Sequence, residues 1–319
     1  VAVADTNPEQ LKDAPEGVET YGSIDEMLEK ADINVVMVST PNPSHPEMVK
    51  KAAAAKKHVI CEKPAAMSVA EFDEMVAACK ENGVLFTVHQ QRRWDTDYRI
   101  MKEVYDQNLV GDMYVIKSQL YGFNGNMHDW HVYPEMGGGM LYDWGVHLID
   151  QMLDMVKSDI VSLYADVQNV INENVDDYFN IIMKFANGVT AEIELGTYYL
   201  TPKRGWFIGG NKGSAMIDGF AGEGKIVRTA HLLENVPGKI TMTAAGPTRS
   251  FGPAAPGLLQ EEALPEVNVS HRMYFEHFLK AFNGEEDVIV KPEQVRRVLC
   301  VMDAVRESAR TGKAIEFEK

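Results

Sequence analysis

Cysteine is scarce in this chain. Cys61, Cys79 and Cys300 are the three among 319 residues, widely spaced and odd in number, with no CxxC pair and no Cys/His cluster. Such spacing argues against a disulfide framework and a structural zinc site, and leaves reduced, packed thiols. Long apolar runs are also missing, since no stretch approaches the roughly 20 residues of a membrane-spanning helix. The opening "VAVAD" has neither the basic flank nor the cleavage pattern of a secretory signal. Basic residues are the minority, 31 Lys and Arg against 47 Asp and Glu, which gives a net charge of −16. That charge repels nucleic-acid phosphates and anionic bilayers, so neither is an expected partner. A soluble cytoplasmic protein acting on a small molecule is the expectation. No internal repeat is present, and no G-x-G-x-x-G stands near the start.

What is present divides in two. The length favours two domains. Up to residue 91, short apolar runs alternate with helical patterns. "VAVAD", "INVVMVST" (33–40), "HVICEKP" (58–64) and "VLFTVH" (84–89) read as strands. "SIDEMLEK" (23–30), "PSHPEMVKKAAAA" (43–55) and "SVAEFDEMVAACKENG" (68–83) read as helices, the last capped by Ser68 and stopped by Gly83. This alternation predicts βαβ units and a parallel sheet over 1–91. From 92 to 319 a helix near 95–107 precedes longer alternating strands at 112–122, 158–168 and 175–199. Asn187-Gly188 marks a hairpin in the last of these, and a second hairpin is expected at 205–219. Residues 220–268, rich in Gly, Pro and Ala, read as a poorly packed excursion, and two helices near 270–283 and 292–311 finish the chain. The fold class is therefore α/β: a Rossmann-type domain, then an α+β domain with a large, mainly antiparallel open sheet.

The missing glycine fingerprint bears on Asp5. In a doubly wound sheet an acid follows that fingerprint by about 20 residues and holds the ribose hydroxyls. Asp5 either fills that place, in which case the first strand and Gly-rich turn are absent from the sequence and the chain alone binds cofactor poorly, or it is a polar strand end.

Three motifs carry a family resemblance: "STPNPSH" (39–45), "CEKP" (61–64) and "GGGMLYDWGVHLID" (137–150). In this order and spacing, with "GGNKGSAMID" and "ESARTGKAIEF" further on, the whole chain resembles the Gfo/Idh/MocA (glucose–fructose oxidoreductase / inositol dehydrogenase) family. The resemblance implies a Rossmann domain binding NAD or NADP and a second domain whose open sheet forms the interface of a homo-oligomer, a dimer or tetramer.

It also implies roles. Taken alone, Lys63 before Pro64 is a solvated surface lysine at a strand end. The resemblance places it in the active site, where its ammonium steadies charge on the reacting oxygen. Asp143 and His147, four apart, share one helix face. The resemblance turns both into the substrate site, with His147 as proton acceptor and Asp143 orienting substrate and supporting the imidazolium. Ser39, Thr40, Pro41 and Asn42 would line the cofactor. His45 has two readings, a cofactor residue or a helix cap. Glu62 is a backbone-level neighbour of the cofactor. Gln91 is a cofactor contact standing where relatives usually carry Asn, and Arg92 a substrate contact. Trp130 and His131 stand where relatives often show Trp-Arg, so a Trp face for a sugar ring and a hydroxyl-reading His are expected. A metal on Asp143 and His147 is set aside for want of a third ligand, and one on His128 and His131 ranks below loop or substrate roles. The three glycines before the helix are expected to bring the backbone close to substrate and cofactor.

The function these roles imply is hydride transfer between a secondary alcohol of a sugar, glycoside or inositol-like polyol and the nicotinamide of NAD. NADP is disfavoured by Asp5. A glycosidase or lyase working through transient oxidation, and a non-catalytic dinucleotide sensor, are the alternatives.

Overall fold

The computed structural model describes residues 1–317 apart from 124, 126, 202, 221, 230–238 and 251–255. Two parallel ladders come first. β1 (Ala2–Ala4) pairs with β2 (Glu19–Tyr21). After α1 (Ile24–Lys30) come β3 (Val35–Val38), α2 (His45–Ala54), β4 (His58–Cys61), α3 (Val69–Asn82) and β5 (Phe86–Val88), with strand order β3-β4-β5. The caps follow sequence chemistry: the Ser23 and Ser68 hydroxyls accept the amide hydrogens of Glu26 and Glu71. Gly83 ends α3 at φ 67°, a backbone shape that disfavours a side chain. Parallel connections leave every strand's carboxyl end on one side, where ligands bind in such sheets. Those ends are Ser39–Asn42, Glu62-Lys63 and His89–Arg93.

A Gln91–Trp94 turn leads to α4 (Thr96–Asp106) and then β6 (Met113–Tyr121). A π-helical turn, Leu141–Gly145, runs straight into α5 (Val146–Met155). There follow β7 (Ile160–Gln168), β8 (Tyr178–Phe185), β9 (Thr190–Gly196), β10 (Trp206–Gly210), β11 (Gly213–Asp218), β12 (Glu223–Thr229), a small hairpin of β13 (Lys239–Thr243) and β14 (Gly246–Ser250), β15 (Leu259–Glu262), α6 (Arg272–Phe282), α7 (Pro292–Thr311) and β16 (Ile315–Glu316). Nine strands form one sheet in the order β15-β12-β11-β10-β6-β9-β8-β7-β16, antiparallel except at β6–β9. Register separates its faces. Ile181 opposite Ile193 and Met183 opposite Ala191 are buried. The intervening Ile182, and Tyr164 on β7, stay exposed. α7 packs on β7 and against α5, so the helices cover the buried face.

One expectation needs correction. Residues 220–268 are not a loose excursion, because β12 and β15 extend the main sheet and Ile226 enters the core. β15 is exposed along its length, so no apolar alternation marked it. Residues 230–238 and 251–255 of that stretch lie outside the described residues.

The turn after β5 is fastened by a buried ion pair. Arg93 Nε and Nη2 donate to the two oxygens of Asp150 on α5, both at 2.7 Å, with the side chains 5% and 2% exposed. Nη1 reaches Gln294 of α7 at 3.1 Å. Removing one partner strands the other charge in the interior. Arg93→Ala or Asp150→Ala should cost about 3–5 kcal/mol in urea unfolding, and Arg93→Met with Asp150→Leu should recover most of it. A single-variant loss under about 1 kcal/mol would place the pair among weak, solvated bridges.

Candidate active site

The carboxyl end of β4 meets the start of the helix that follows the three glycines. Lys63 Nζ donates to Asp143 Oδ1 at 2.7 Å and to the Asp143 carbonyl at 2.9 Å, and both side chains are largely buried. The Lys63-Pro64 peptide is cis. An ammonium has three hydrogens, so one remains for a ligand. Asp143 sits in the π turn, where the Val146 amide reaches back five residues to Leu141. Such wide turns cluster at functional sites.

The i, i+4 pair behaves differently from an α-helical face pair. Asp143 binds Lys63, while His147 Nδ1 faces Gln90 Oε1 at 2.9 Å. No hydrogen bond joins Asp143 to His147 among the described residues, so the support expected for the imidazolium goes to Lys63 instead. Gln90, at the end of β5, was not singled out in the sequence. With its amide oxygen toward the ring, Gln90 matches the tautomer that carries the hydrogen on Nδ1 and the lone pair on Nε2. Burial, then the charges of Lys63 and Arg92, hold the His147 pKa well below its ordinary value. The ring is therefore neutral at pH 7.

The glycines make close approaches, but to protein groups. Gly137 (φ 73°) would put a Cβ 2.6 Å from the Asn42 amide nitrogen. At Gly139 (φ 95°) it would strike the Asp176 carboxylate. Asp176, pushed up to about 6 mainly by burial, accepts the Leu141 amide at 2.7 Å and so fixes the helix start. The Asp176-Asp177 pair before β8 is the sequence signal that could have pointed to it.

Other expected residues separate into groups. Asp5, Ser39, Thr40 and Pro41 line one cavity of about 550 Å³ at the carboxyl ends of β1 and β3. Asp5 Oδ1 accepts the Asn7 amide at 2.7 Å. Gln91 Oε1 is buried without a hydrogen-bond partner among the described residues. Asn42 is buried, and its amide donates to the Met136 carbonyl at 3.2 Å, tying the β3 loop to the glycine entry. His45 is corrected on both readings. It is fully buried at the first residue of α2, with ring nitrogens 2.7 Å from the Thr40 carbonyl and 3.0 Å from that of Pro64, so its ring makes no cap hydrogen bond and has both nitrogens engaged by loop carbonyls. It pins two strand-end loops together. Glu62 accepts the Lys63 amide at 3.2 Å and pairs with His89 at 2.6 Å. The Arg92 guanidinium lies 3.9 Å over the Trp144 ring, beside the ring contact of Trp144 with His147. Trp130 and His131 stack on each other at 3.7 Å, and no hydrogen bond or ring contact joins them to Lys63, Asp143 or His147.

A parallel sheet whose strand ends hold a half-buried lysine against a helix bearing a buried histidine defines a Rossmann-type architecture. Comparison makes the assignment particular. Residues 1–90 match the model of the oxidoreductase family with an NAD-binding Rossmann fold, and residues 98–216 match the GFO/IDH/MocA C-terminal domain. An NAD-binding protein from Listeria innocua is 31% identical, with a TM-score of 0.87 over 99% of this chain and 88% of that one. The chain belongs to the Gfo/Idh/MocA family. Scyllo-inositol 2-dehydrogenase (NADP(+)) IolW of Bacillus subtilis is 26% identical over 97% of this chain and 86% of its own. The 2,7-anhydro-N-acetylneuraminate hydratase of Escherichia coli is 30% identical over 61% of this chain and 54% of its own. The chain spans about half the length of the curated relatives it matches first.

The depressed His147 pKa has a direct readout. In a ring-proton NMR titration from pH 8 to 6, the His147 resonance, assigned by its loss in His147→Gln, should stay fixed. A solvated histidine titrates near 6.5. A midpoint at or above that value would overturn the neutral assignment.

Proposed function

We propose that the chain is an NAD-dependent oxidoreductase that removes hydride from a secondary alcohol of a sugar, glycoside or inositol-like polyol. The observation that carries this is the Lys63–Asp143 contact beside a buried His147 whose pKa is held below its ordinary value. NAD, when bound, takes up the hydride. The substrate hydroxyl gives its proton to His147 Nε2, and the carbinol carbon becomes a carbonyl as hydride leaves it. The third Lys63 hydrogen bonds the oxygen on which negative charge develops. Asp143 neutralises the lysine and holds its direction. Gln90 keeps His147 in the tautomer that can accept the proton.

Residues 1–91 serve the cofactor in this reading, and 92–319 the substrate. The 550 Å³ cavity with Asp5, Ser39, Thr40 and Pro41 suits the nucleotide end, and its carboxylate disfavours a 2′-phosphate. NAD is therefore expected over NADP, although the Bacillus subtilis relative is named for NADP(+). The exposed Tyr164 and Ile182 of the open sheet face suit self-association as a dimer or tetramer. A second reading has one specific support, the hydratase name of the Escherichia coli relative. In this second reading, the glycosidase or lyase alternative, the alcohol oxidation is transient and product forms without net NADH.

Turnover of sugars, glycosides and inositols, followed by both NADH absorbance and product chromatography, tests the assignment. Wild type should use NAD faster than NADP at equal concentration. Lys63→Ala should lower kcat by about 10²–10³-fold, the scale of losing one charge-stabilising donor, with NADH still bound. Undiminished turnover in Lys63→Ala or His147→Ala would sink the assignment.

A further inference from the structure

A lysine ammonium rides on a flexible four-carbon stem that carries about 2 kcal/mol of rotamer entropy. Holding it in one direction requires both ends of the stem to be fixed. Asp143 fixes the far end of Lys63. The near end is fixed at the backbone, where the Lys63 amide donates to Glu62 Oε2 at 3.2 Å. Glu62 has rotatable bonds of its own, so its carboxylate needs a second tie.

His89 supplies that tie from the neighbouring strand end. Its backbone amide donates to the Cys61 carbonyl at 2.8 Å, which continues the β4–β5 ladder and places its side chain beside Glu62. His89 Nδ1 lies 2.6 Å from Glu62 Oε1, and the two side chains are 12% and 27% exposed. Burial opposes the charge on Glu62, but the His89 hydrogen bond and charge, the Lys63 amide and the Lys63 ammonium outweigh it and hold the carboxyl below its ordinary range. An ionised carboxylate only accepts, so the hydrogen is on Nδ1.

That is the one side-chain hydrogen bond His89 makes among the described residues, since Nε2 is buried and has no partner there. The ring is instead held by packing. Tyr274 and Phe275 of α6 stand 4.7 and 5.1 Å from it, centre to centre. Consecutive residues at the end of β5 thus meet the two site groups: Gln90 contacts His147, and His89 contacts the acid that holds Lys63.

We propose that His89 is a positioning residue for Lys63, acting through the Glu62 carboxylate, so that α6, His89, Glu62 and the Lys63 amide form one connected support. The proposal rests on the hydride-transfer reading for what Lys63 does, not for how Lys63 is held.

Three variants separate the donor from the ring. His89→Phe keeps a ring against Tyr274 and Phe275 without the donor, His89→Leu removes both, and His89→Asn places an amide hydrogen near the position of Nδ1. In NAD-dependent oxidation of a polyol that wild type turns over, each donor-free variant that folds should lower kcat about tenfold, the low end for one hydrogen bond to a charged group. KM for polyol and NAD should hold, and His89→Asn should recover most of the loss. The Lys63 amide reports independently of turnover. In amide NMR of the ligand-free chain labelled at lysine nitrogen, its resonance, assigned by its loss in Lys63→Ala, should shift and exchange faster with deuterium in the donor-free variants, and return toward wild type in His89→Asn. Equal losses in His89→Asn and the donor-free variants, an effect confined to KM, or a Lys63 amide unmoved in all three would each overturn the proposal. A Lys63 amide that moves as expected, together with undiminished turnover in Lys63→Ala, would retain the linkage and reject the hydride-transfer reading.

Discussion

One ammonium group ties the two halves of this protein together at the place where chemistry is expected. Lys63 leaves the carboxyl end of β4 and ends on both the carboxylate and the carbonyl of Asp143. Each half brings one requirement. The parallel sheet exports strand ends to a single edge, and the π turn presents a carboxylate and a carbonyl of one residue to the same donor. Much of the neighbouring structure serves to hold that meeting in place. Asp176 secures the helix start, Asn42 joins the β3 loop to the glycine entry, and His45 pins the β3 and β4 loops. The Arg93–Asp150 pair fixes the turn after β5 to α5.

Burial sets the electrostatic character of the region. Removed from water, the same interior that keeps His147 neutral raises Asp97 and Asp176 to about 6. Those directions are opposite in sign but share a cause, the cost of placing charge in a medium that solvates it poorly. Near pH 7 the result is an uncharged imidazole beside a lysine held by its counter-ion.

Much of the fold was legible because local chemistry and tertiary structure agree. Ser23, Ser68, Gly83 and Asn187-Gly188 mark caps, stops and a turn that the structure keeps. The edge strand β15 and its neighbour β12 were hidden, since a solvated edge needs no apolar alternation and its pairing is held by backbone bonds that leave no mark on side-chain type. At the site, Lys63 and Asp143 could be named from motif context, but their contact spans eighty positions of sequence and needed coordinates. The i, i+4 spacing of Asp143 and His147 carried no sign of their partners, Lys63 and Gln90, which come from other elements. His89, Gln90, Trp144 and Asp176 were passed over for a simpler reason. Each is an ordinary polar or aromatic residue until burial removes its alternatives.

The central claim is that Lys63 and Asp143 act as one unit. A double-mutant cycle on kcat/KM for NAD-dependent polyol oxidation, using Lys63→Ala, Asp143→Ala and the pair, measures that directly. The account predicts strong non-additivity, with the double variant no slower than Lys63→Ala alone. Losses that simply add, so that each variant lowers kcat/KM by the same factor in either background, would contradict it.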